Sequence, residues 1–450
     1  MELNELKVVL KSAAERAGLK EYEIYYSSEY SINAETLKHE ISGFSSGVGA
    51  GICFRCIVDG KMGYASTELM EAEEMEALVL RAMDNAKYQD NDGEVFIYEG
   101  SDSYETITAK VPEMPTAADL MNAALAIQEN TYASSEYITD GTQASAFAFE
   151  TKILISNSHG LELENHVANA GCFAEAIVKV DEDSQFAYEM AQGVTPEDYA
   201  EISKKATERA LKKIGASTIP SGKYNIVISN RSMSSLLSAF WGIFSAKNVQ
   251  LGLSLLKGKE GEKIASSVVT IVDDPMREGC PIQTAFDSEG VATHKKNVVE
   301  NGVLNTFLYD LSTAKKAGKE STGNGLRGGY RGAVGVAPFN FYVKPGEDDL
   351  ESLFAKAGDG SIYVTDLKGL HAGANAVTGD FSIESEGFLV ENGKEGKAVR
   401  SFTIAGNFFR LLESIEAVGN DLRFGIPGGF TLFGAPAVMI KDMSVAGKDE

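Results

Sequence analysis

The dipeptide His39-Glu40 has the residue types that begin the helical zinc motif of many metalloproteases. That motif needs a second histidine four or five residues later, where this chain has Gly43 and Phe44. Residues 37–41 also alternate between apolar and polar side chains, which is typical of a strand. Because the zinc-binding histidines of this motif share one face of a helix, we predict no zinc site at His39.

The remaining histidines lie far apart in the sequence, at His159, His166, His294 and His371. None has a metal-binding partner four residues away on a predicted helix. His159 and His166 are seven residues apart in strand-like sequence, which places them on opposite faces of an unbroken strand. The pattern therefore favours surface or hydrogen-bonded histidines over a metal site.

Cys53 and Cys56 form a CxxC pair within the strand-like segment GICFRCIV. Side chains three residues apart on a strand face opposite sides, so these two thiols cannot share a metal ion. No second CxxC completes a zinc site, and four cysteines in 450 residues are too few for a disulfide framework. We expect the cysteines to be buried and reduced.

Residues 323–328 match the GxGxxG pattern of dinucleotide-binding sites by the letter. Such a site needs a hydrophobic strand before the glycines and a helix after them, and neither is predicted here. Two alternatives remain: a backbone that turns tightly or approaches another segment, and an anion-binding nest that uses Arg327 and Arg331. The segment Asp273-Asp274-Pro275 similarly fits a cation site or, as Asp and Pro favour, a turn after a strand.

Apolar periodicity predicts two similar sets of elements in the first half of the chain. The predicted helices are residues 2–17, 68–88, 116–130 and about 196–214, the last with Thr195 as N-cap and Pro196 at its first position. The predicted strands lie in residues 22–26, 37–41, 51–64, 143–157 and 161–190. The order of helix, antiparallel strands and helix occurs twice, which suggests an internal duplication.

The second half is rich in glycine and in strand-like sequence after one predicted helix at about residues 231–247. Asn-Gly turns predict hairpins at residues 298–307 and 389–399. The predicted fold is therefore α+β, with a mostly antiparallel β domain at the C-terminal end. We predict three domains, at residues 1–100, 101–218 and 219–450.

Composition excludes several classes of protein. The formal net charge of −24, from 65 acidic and 41 basic residues, disfavours binding to nucleic acid. No apolar run approaches the roughly 20 residues of a membrane helix, so no membrane partner is expected. The first eighteen residues read as an amphipathic charged helix and not as a signal peptide, from which we expect a cytoplasmic location.

Six blocks of the second half follow one another in an order that resembles the TldD/PmbA family, whose second branch is also called TldE. They are IVDDP (271–275), residues 286–318, STGNGLRG (321–328), residues 374–393, residues 403–422 and APAVMIKDMSVAG (435–447). The strand pair at residues 51–67 and the segment NSHG (157–160) extend the resemblance over essentially the whole chain. The resemblance implies a cytoplasmic protein related to metalloproteases that act on small or unfolded peptides, with an older link to the control of DNA gyrase.

The resemblance also implies which branch this chain belongs to. TldD-type members carry HExxxH on a helix and a distal cysteine as zinc ligands, whereas PmbA/TldE-type members lack them. By position, the motif would fall in residues 245–254, which contain no histidine, cysteine or acidic residue. The cysteine would fall in residues 423–434, and the last cysteine of the chain is Cys280. We therefore expect no catalytic or metal-binding residue and no cofactor in this chain, with zinc in a TldD-like partner.

Such a subunit needs a surface for extended peptide or for its partner. The block GANAVTGDFS (373–382) offers glycines and small polar side chains. Asn375, Thr378, Gly379 and Asp380 are predicted to form a peptide-contacting or interface loop, with a structural turn as the alternative.

The predicted function is that of a zinc-free subunit of a peptidase complex, with a TldD-like subunit and an unfolded peptide as its partners. Whether the chain itself counts as an enzyme stays open. The alternative is a stand-alone homodimer that binds peptides or regulates a client without hydrolysing them.

Overall fold

A computed structural model of the chain describes residues 3–89 and 95–448. Within those ranges no helix combines the length and the apolar character that a membrane crossing requires.

The first half of the chain builds one six-stranded antiparallel sheet with helices beside it. Its helices are α1 (Leu3–Arg16), α2 (Ala72–Ala86), α3 (Ala117–Ala133) and α4 (Pro196–Lys212). Its strands are β1 (Tyr22–Leu37), β2 (Glu40–Val58), β3 (Lys61–Thr67), β4 (Gln143–Asn157), β5 (Glu162–Val180) and β6 (Asp183–Ala191).

The order of the strands is β3-β2-β1-β4-β5-β6, so two three-stranded meanders meet at the pairing of β1 with β4. Each meander has one helix before it and one after it in the chain. The predicted order of helix, strands and helix therefore occurs twice, as the sequence indicates. The two predicted N-terminal segments contribute to one continuous sheet, and the predicted boundary near residue 100 stays a prediction.

Small side chains allow helices α3 and α4 to pack closely on the sheet. On β4 the buried positions alternate as Ala144, Ala146 and Ala148, and they form one apolar cluster with residues of both helices. Capping boxes begin both helices, because the Thr116 and Thr195 hydroxyls accept hydrogen bonds from backbone N–H groups three residues later. The N-cap predicted at Thr195 is confirmed.

The second half of the chain carries shorter elements around the largest apolar core. Its helices are α5 (Asn230–Phe240), α6 (Ala246–Gln250), α7 (Leu311–Ala317), α8 (Leu350–Ala357), α9 (Leu370–Gly373) and α10 (Phe408–Glu413), with a 3₁₀ turn at Trp241–Phe244. Its strands are β7 (Gly222–Ile228), β8 (Ile271–Asp273), β9 (Lys296–Glu300), β10 (Val303–Leu304), β11 (Gly325–Arg327), β12 (Val334–Val336), β13 (Asn340–Val343), β14 (Ile362–Lys368), β15 (Asp380–Glu391), β16 (Lys394–Asn407), β17 (Ile415–Val418), β18 (Arg423–Phe424), β19 (Leu432–Ala435) and β20 (Val438–Ala446).

Strand β20 closes one of the C-terminal sheets into a ring. The strands pair in the order β16-β15-β14-β7-β20, and β20 also pairs with β16. Helix α5 follows β7, and its Phe240 stacks on Phe408 in the core at 4.5 Å between ring centroids. The prediction of an α+β fold with a strand-rich C-terminal region is confirmed.

Two-residue turns join several of the strands. Asn301-Gly302 and Asn392-Gly393 adopt positive φ angles between 48° and 83°, which confirms both predicted Asn-Gly hairpins. Lys38 and His39 do the same, with φ angles of 52° and 64°. The prediction that His39 lies within a strand is therefore wrong, because the chain reverses there between β1 and β2.

Candidate functional site

The predicted contact loop lies between α9 and the start of β15, and its backbone is tightly tied. The Asn375 side-chain oxygen accepts hydrogen bonds from the N–H groups of Val377 (3.0 Å) and Thr378 (3.1 Å). Gly379 has a φ of 80°, and a Cβ there would lie 2.6 Å from the ring of Phe409. Both the positive φ and the close approach of Phe409 favour glycine at position 379.

Side chains of this loop remain on the surface. Asn375, Thr378 and Asp380 are exposed, whereas Gly379 is buried. Asn407 links the loop to β16 by donating hydrogen bonds to the Thr378 carbonyl (2.8 Å) and to the Asp380 carboxylate (2.9 Å). The bond from Asn407 to the Asp380 carboxylate lowers the pKa of Asp380. The loop is therefore a rigid, solvent-facing turn, which fits both alternatives that the sequence leaves open.

The segment at the position of the TldD-type zinc motif forms the short helix α6 and the residues that follow it. Ser245 caps the helix, the Asn248 amide donates to the Gly242 carbonyl (2.9 Å), and the Gln250 amide donates to the Thr313 carbonyl (2.7 Å). These side chains are neutral and already bonded to the backbone. They do not fit a zinc site, which uses thiolate, imidazole or carboxylate ligands.

No group of three or more His, Cys, Asp or Glu side chains that could hold a metal ion occurs among the described residues. His39 lies 2.7 Å from Glu129 and stacks on Tyr132, and His166 lies 2.5 Å from Glu150. The cysteines are free and buried, as predicted.

Strand β2 has an open edge along part of its length. Strand β3 pairs only with residues 52–58 of β2, while β1 pairs with β2 from Glu40 onward. Within the described chain, residues 40–51 therefore have a strand on one side only. Residues 41–51 carry no charge and include four glycines and three serines. Phe44 and Val48 are 48% and 76% exposed.

Alternation of the backbone shows which groups face the open side. The Ile57 N–H donates to the Glu21 carbonyl on the β1 side, and successive residues of an antiparallel strand point their N–H and C=O groups to opposite sides. In the regular register from Gly43 onward, the N–H and C=O groups of even-numbered residues, such as Ser46 and Val48, point away from β1. A strand edge of this kind can pair with an extended chain. The prediction of a contact site from the sequence overlooked this edge.

A buried group of charges joins the N-terminal sheet to the C-terminal half. Glu23 on β1 is fully buried and accepts from Arg55 on β2 (2.8 Å) and from Arg327 on β11 (2.9 Å). The Arg327 guanidinium also lies 4.4 Å from the centre of the Tyr25 ring. Arg327 is thus paired with Glu23, and Arg331 is paired with Glu68 (2.7 Å). Because both arginines already have a carboxylate partner, the structure disfavours the anion-binding nest that the sequence leaves as an alternative.

The GxGxxG segment lies against two buried carboxylates. A Cβ at Gly325 would lie 2.6 Å from Glu289 and 3.1 Å from Asp287, and a Cβ at Gly323 would lie 2.7 Å from the Ala292 carbonyl. The glycines therefore allow close backbone approach, which is the structural alternative predicted for them. Burial raises the pKa of Asp287 to about 7 and that of Glu289 to about 8.

The Asp273-Asp274-Pro275 segment is the turn that follows strand β8. Asp273 is buried and accepts from the Lys296 ammonium (3.1 Å), the Asn324 amide (2.8 Å) and the Phe339 N–H (2.8 Å). Its oxygens are therefore occupied by protein donors, and the turn prediction is confirmed.

Comparison with known proteins identifies the family. The PmbA/TldA metallopeptidase C-terminal domain matches residues 221–447, domain 1 matches residues 22–86, and the central domain matches residues 110–214. The chain belongs to the PmbA/TldD family. The family predicted from the ordered sequence blocks is confirmed.

Relatives of this chain occur in archaea and bacteria. An uncharacterised protein of Methanocaldococcus jannaschii is 30% identical over 409 residues, which cover 90% of this chain and 92% of that protein. Metalloprotease PmbA of Escherichia coli O157:H7 is 26% identical over 301 residues, which cover 66% of this chain and 62% of PmbA. The first alignment spans nearly the whole length of both chains.

Solved structures have the same fold. A Thermotoga maritima protein described as a candidate modulator of a DNA gyrase is 32% identical, with a TM-score of 0.89 over 99% of this chain and 100% of that one. TldE of Thermococcus kodakarensis has a TM-score of 0.88 over 98% of this chain and 100% of that one. Its identity is 22%, so this second likeness concerns the fold alone.

Proposed function

We propose that the chain is the zinc-free subunit of a cytoplasmic peptidase that it forms with a TldD-like subunit. In this complex the partner supplies zinc and the hydrolytic chemistry. The present chain supplies surface that holds an extended, unfolded peptide near the partner's metal.

The residues of segments 245–254 and 423–434 support the zinc-free role. Membership of a metallopeptidase family makes a metal site the natural expectation. The first segment offers Ser, Asn and Gln side chains, and the second is RFGIPGGFTLFG, without cysteine, histidine or an acidic residue. Residues that bind zinc in proteins are missing from both positions, and this is the observation on which the proposal chiefly rests.

The open edge of β2 supports the peptide-binding role. In residues 41–51 the even-numbered positions from Phe44 onward point backbone donors and acceptors to the open side. The segment has neither the charged side chains nor the prolines that commonly protect edge strands. An extended peptide can pair with such an edge through main-chain hydrogen bonds, which do not depend on the peptide sequence. A folded substrate cannot present a free strand in this way, so the edge favours unfolded peptides.

The loop of Asn375, Thr378, Gly379 and Asp380 is proposed to contact the partner subunit or the peptide. Its backbone is held by internal hydrogen bonds, so docking there would cost little ordering entropy. Val377 projects from the same turn and is 38% exposed. An exposed apolar side chain on a rigid turn is a suitable contact point for another chain.

The deciding experiment measures hydrolysis of an unstructured fluorogenic peptide by this chain, by a TldD-like protein of the same organism, and by the two together. Zinc content is determined for each sample after dialysis against a mild chelator. A mixture whose partner lacks its zinc-binding histidines serves as the control.

We expect hydrolysis by the mixture that greatly exceeds the sum of the separate activities, with less than about one zinc per copy of this chain. Chelator-sensitive hydrolysis by this chain alone would refute the zinc-free role. Peptide binding without hydrolysis in the mixture would instead favour the stand-alone homodimeric binding protein.

A further inference from the structure

A cavity of about 210 Å³ lies where α4 and β6 of the first sheet meet the start of α5 and strand β14. Its charged lining comprises five basic and two acidic side chains: Arg209, Lys212, Lys213, Arg231, Arg423, Glu189 and Glu395. An excess of basic side chains is notable in a chain with a net charge of −24. Lys213 is paired with Asp366 (3.0 Å) and Glu386 (3.1 Å), and Lys212 with Glu395 (3.1 Å), so the positive charge that remains to be balanced lies on the arginines.

Three guanidinium groups in this cavity share one carboxylate. Arg209 (2.8 Å) and Arg231 (2.7 Å) donate to one oxygen of Glu189, and Arg423 donates to the other (2.8 Å). Burial alone would raise the pKa of Glu189, but Arg231, Arg423 and Arg209 lower it to about 2. Glu189 therefore stays ionised at neutral pH and balances one of the three positive charges.

Backbone carbonyls of edge strand β6 hold the same cations in place. The Tyr188 carbonyl accepts from Arg209 (3.0 Å) and from Arg231 (2.9 Å), and the Phe186 carbonyl accepts from Lys213 (3.2 Å). The Arg231 guanidinium also lies over the Tyr188 ring at 4.7 Å. These contacts fix the direction of the guanidinium groups before any ligand binds, which lowers the entropy cost of binding.

In the part of the chain that the structure describes, two of the arginines have no carboxylate partner of their own and share Glu189 with the other arginines. Arg209 has a second carboxylate, Asp366, at 3.4 Å. Among the described residues, Arg231 and Arg423 have no carboxylate within 4 Å other than Glu189. Burial, and then repulsion from Arg209, lower the pKa of Arg231. A bound anion would relieve this repulsion.

We propose that the cavity binds a small oxyanion, a phosphate or a carboxylate group, between Arg231 and Arg423. Guanidinium groups bind such anions through paired, planar hydrogen bonds. Residues Asn230 and Arg231 are the first two of the eleven-residue helix α5, so the positive end of its dipole faces the cavity. Tyr363 also lines the cavity.

Two sources could supply this chemistry: inorganic phosphate, or the C-terminal carboxylate of a peptide. Isothermal titration calorimetry on the full-length protein at pH 7 distinguishes them. The first titrant is sodium phosphate, with sodium chloride of equal ionic strength as the reference. The second is N-acetyl-alanyl-alanine, with its C-terminal amide as the reference.

Two variants and one control connect binding to the cavity. Arg423→Gln removes one guanidinium whose side chain is 37% exposed, and we expect binding of the preferred anion to weaken about tenfold. Lys212→Gln removes a 59%-exposed charge at the rim, so it should preserve the fold and weaken binding by a smaller factor. Arg81→Gln on α2, which is 45% exposed and outside the cavity, should bind as the unchanged chain does.

Saturable binding of phosphate or of the free carboxylate, weakened by both cavity variants, supports the proposal and names the source. Heats for all four titrants that match their dilution controls would overturn it. Binding that Arg423→Gln and Lys212→Gln leave unaltered would also overturn it, because the anion would then occupy another place. None of these outcomes depends on peptidase activity.

Discussion

Arg327 and Glu23 lie 304 positions apart in the sequence, and their side chains meet at 2.9 Å in the interior of the protein. Arg55 donates to the other oxygen of Glu23 at 2.8 Å. The Nε–H groups of both arginines have no hydrogen-bond partner in the described structure. One buried carboxylate therefore holds two buried cations and joins the N-terminal sheet to the C-terminal half.

Replacing Glu23 with glutamine should destabilise the fold by about 3–5 kcal/mol, because it leaves two buried guanidinium groups without a counter-charge. Urea unfolding at pH 7 measures the change. The control is Glu76→Gln, which breaks an exposed pair with Arg16 and should alter the free energy of unfolding by about 0–1 kcal/mol. Equal effects of the two substitutions would contradict the role of Glu23.

Local signals in the sequence suffice to predict much of this fold. Thr195 followed by Pro196 predicts the start of α4, and the two Asn-Gly pairs predict hairpins, because each depends on residues within one turn. The ion pair between Glu23 and Arg327 has no such signal. It depends on how two distant segments pack, and neither residue differs in type from an ordinary surface charge.

The candidate contact surfaces illustrate the same limit. The uncharged run at residues 41–51 is visible in the sequence. Whether this run is an open strand edge depends on the lengths of the strands. Strand β3 has seven residues and β2 has nineteen, so among the described residues part of β2 has no neighbour on that side. The turn at Lys38-His39 escaped prediction because both residues adopt positive φ without the glycine or asparagine that commonly marks such turns.

The buried pair Asp287 and Glu289 should make stability depend on pH. Their ordinary pKa values of 3.8 and 4.5 rise to about 7 and about 8 in the folded chain through burial. Between about pH 4 and pH 8 the folded state therefore binds more protons than the unfolded state. The free energy of unfolding should fall as pH rises, by about 1.4 kcal/mol per pH unit for each proton retained.

Glu289→Gln tests this assignment, since the amide does not titrate and its oxygen can still accept from the Leu311 N–H. We expect a smaller slope of unfolding free energy between pH 5 and pH 8. Glu162→Gln is the control: burial alone would raise the pKa of Glu162, but Lys11 and Lys7 lower it to about 2. Its contribution is lost only as the pH falls below about 4, so the slope above pH 5 should stay unchanged.

Substitution of Gly379 should lower the stability of the fold for two separable reasons. Gly379→Ala combines the strain of a positive φ with a contact of 2.6 Å to the Phe409 ring. At Gly393, φ is 69° and a Cβ would meet nothing within 4 Å, so Gly393→Ala should cost about 1–2 kcal/mol from strain alone. Urea unfolding should show a larger loss for Gly379→Ala, and a loss no larger than that of Gly393→Ala would contradict the close contact.

The cysteines should be unreactive in the folded protein. Burial raises the pKa of Cys56 and of Cys280 to about 11 and that of Cys172 to about 12. Because the thiolate is the reacting species, Ellman's reagent at pH 8 should react far more slowly with the native chain than with the chain in guanidinium chloride. Fast reaction of one native thiol would show that its burial is incomplete in solution.

Substitutions at the open edge of β2 test whether a peptide pairs with this strand. Val48→Pro removes an N–H that points away from β1, so the pairing of β2 with β1 keeps its hydrogen bonds. If a peptide adds to this edge, the proline removes one donor and obstructs the approach of the strand. Fluorescence anisotropy with a labelled unstructured peptide and the reconstituted complex should then show a dissociation constant about tenfold higher.

Val48→Ala is the matched control, since it removes most of the same 76%-exposed side chain but keeps the N–H. It should bind peptide nearly as well as the unchanged chain if main-chain hydrogen bonds supply the affinity. Equal weakening by alanine and proline would mean that the side chain of Val48 makes the contact. Unchanged binding by a folded Val48→Pro variant would remove the β2 edge from the proposed mechanism, because a strand that pairs there would lose one donor and meet the proline ring.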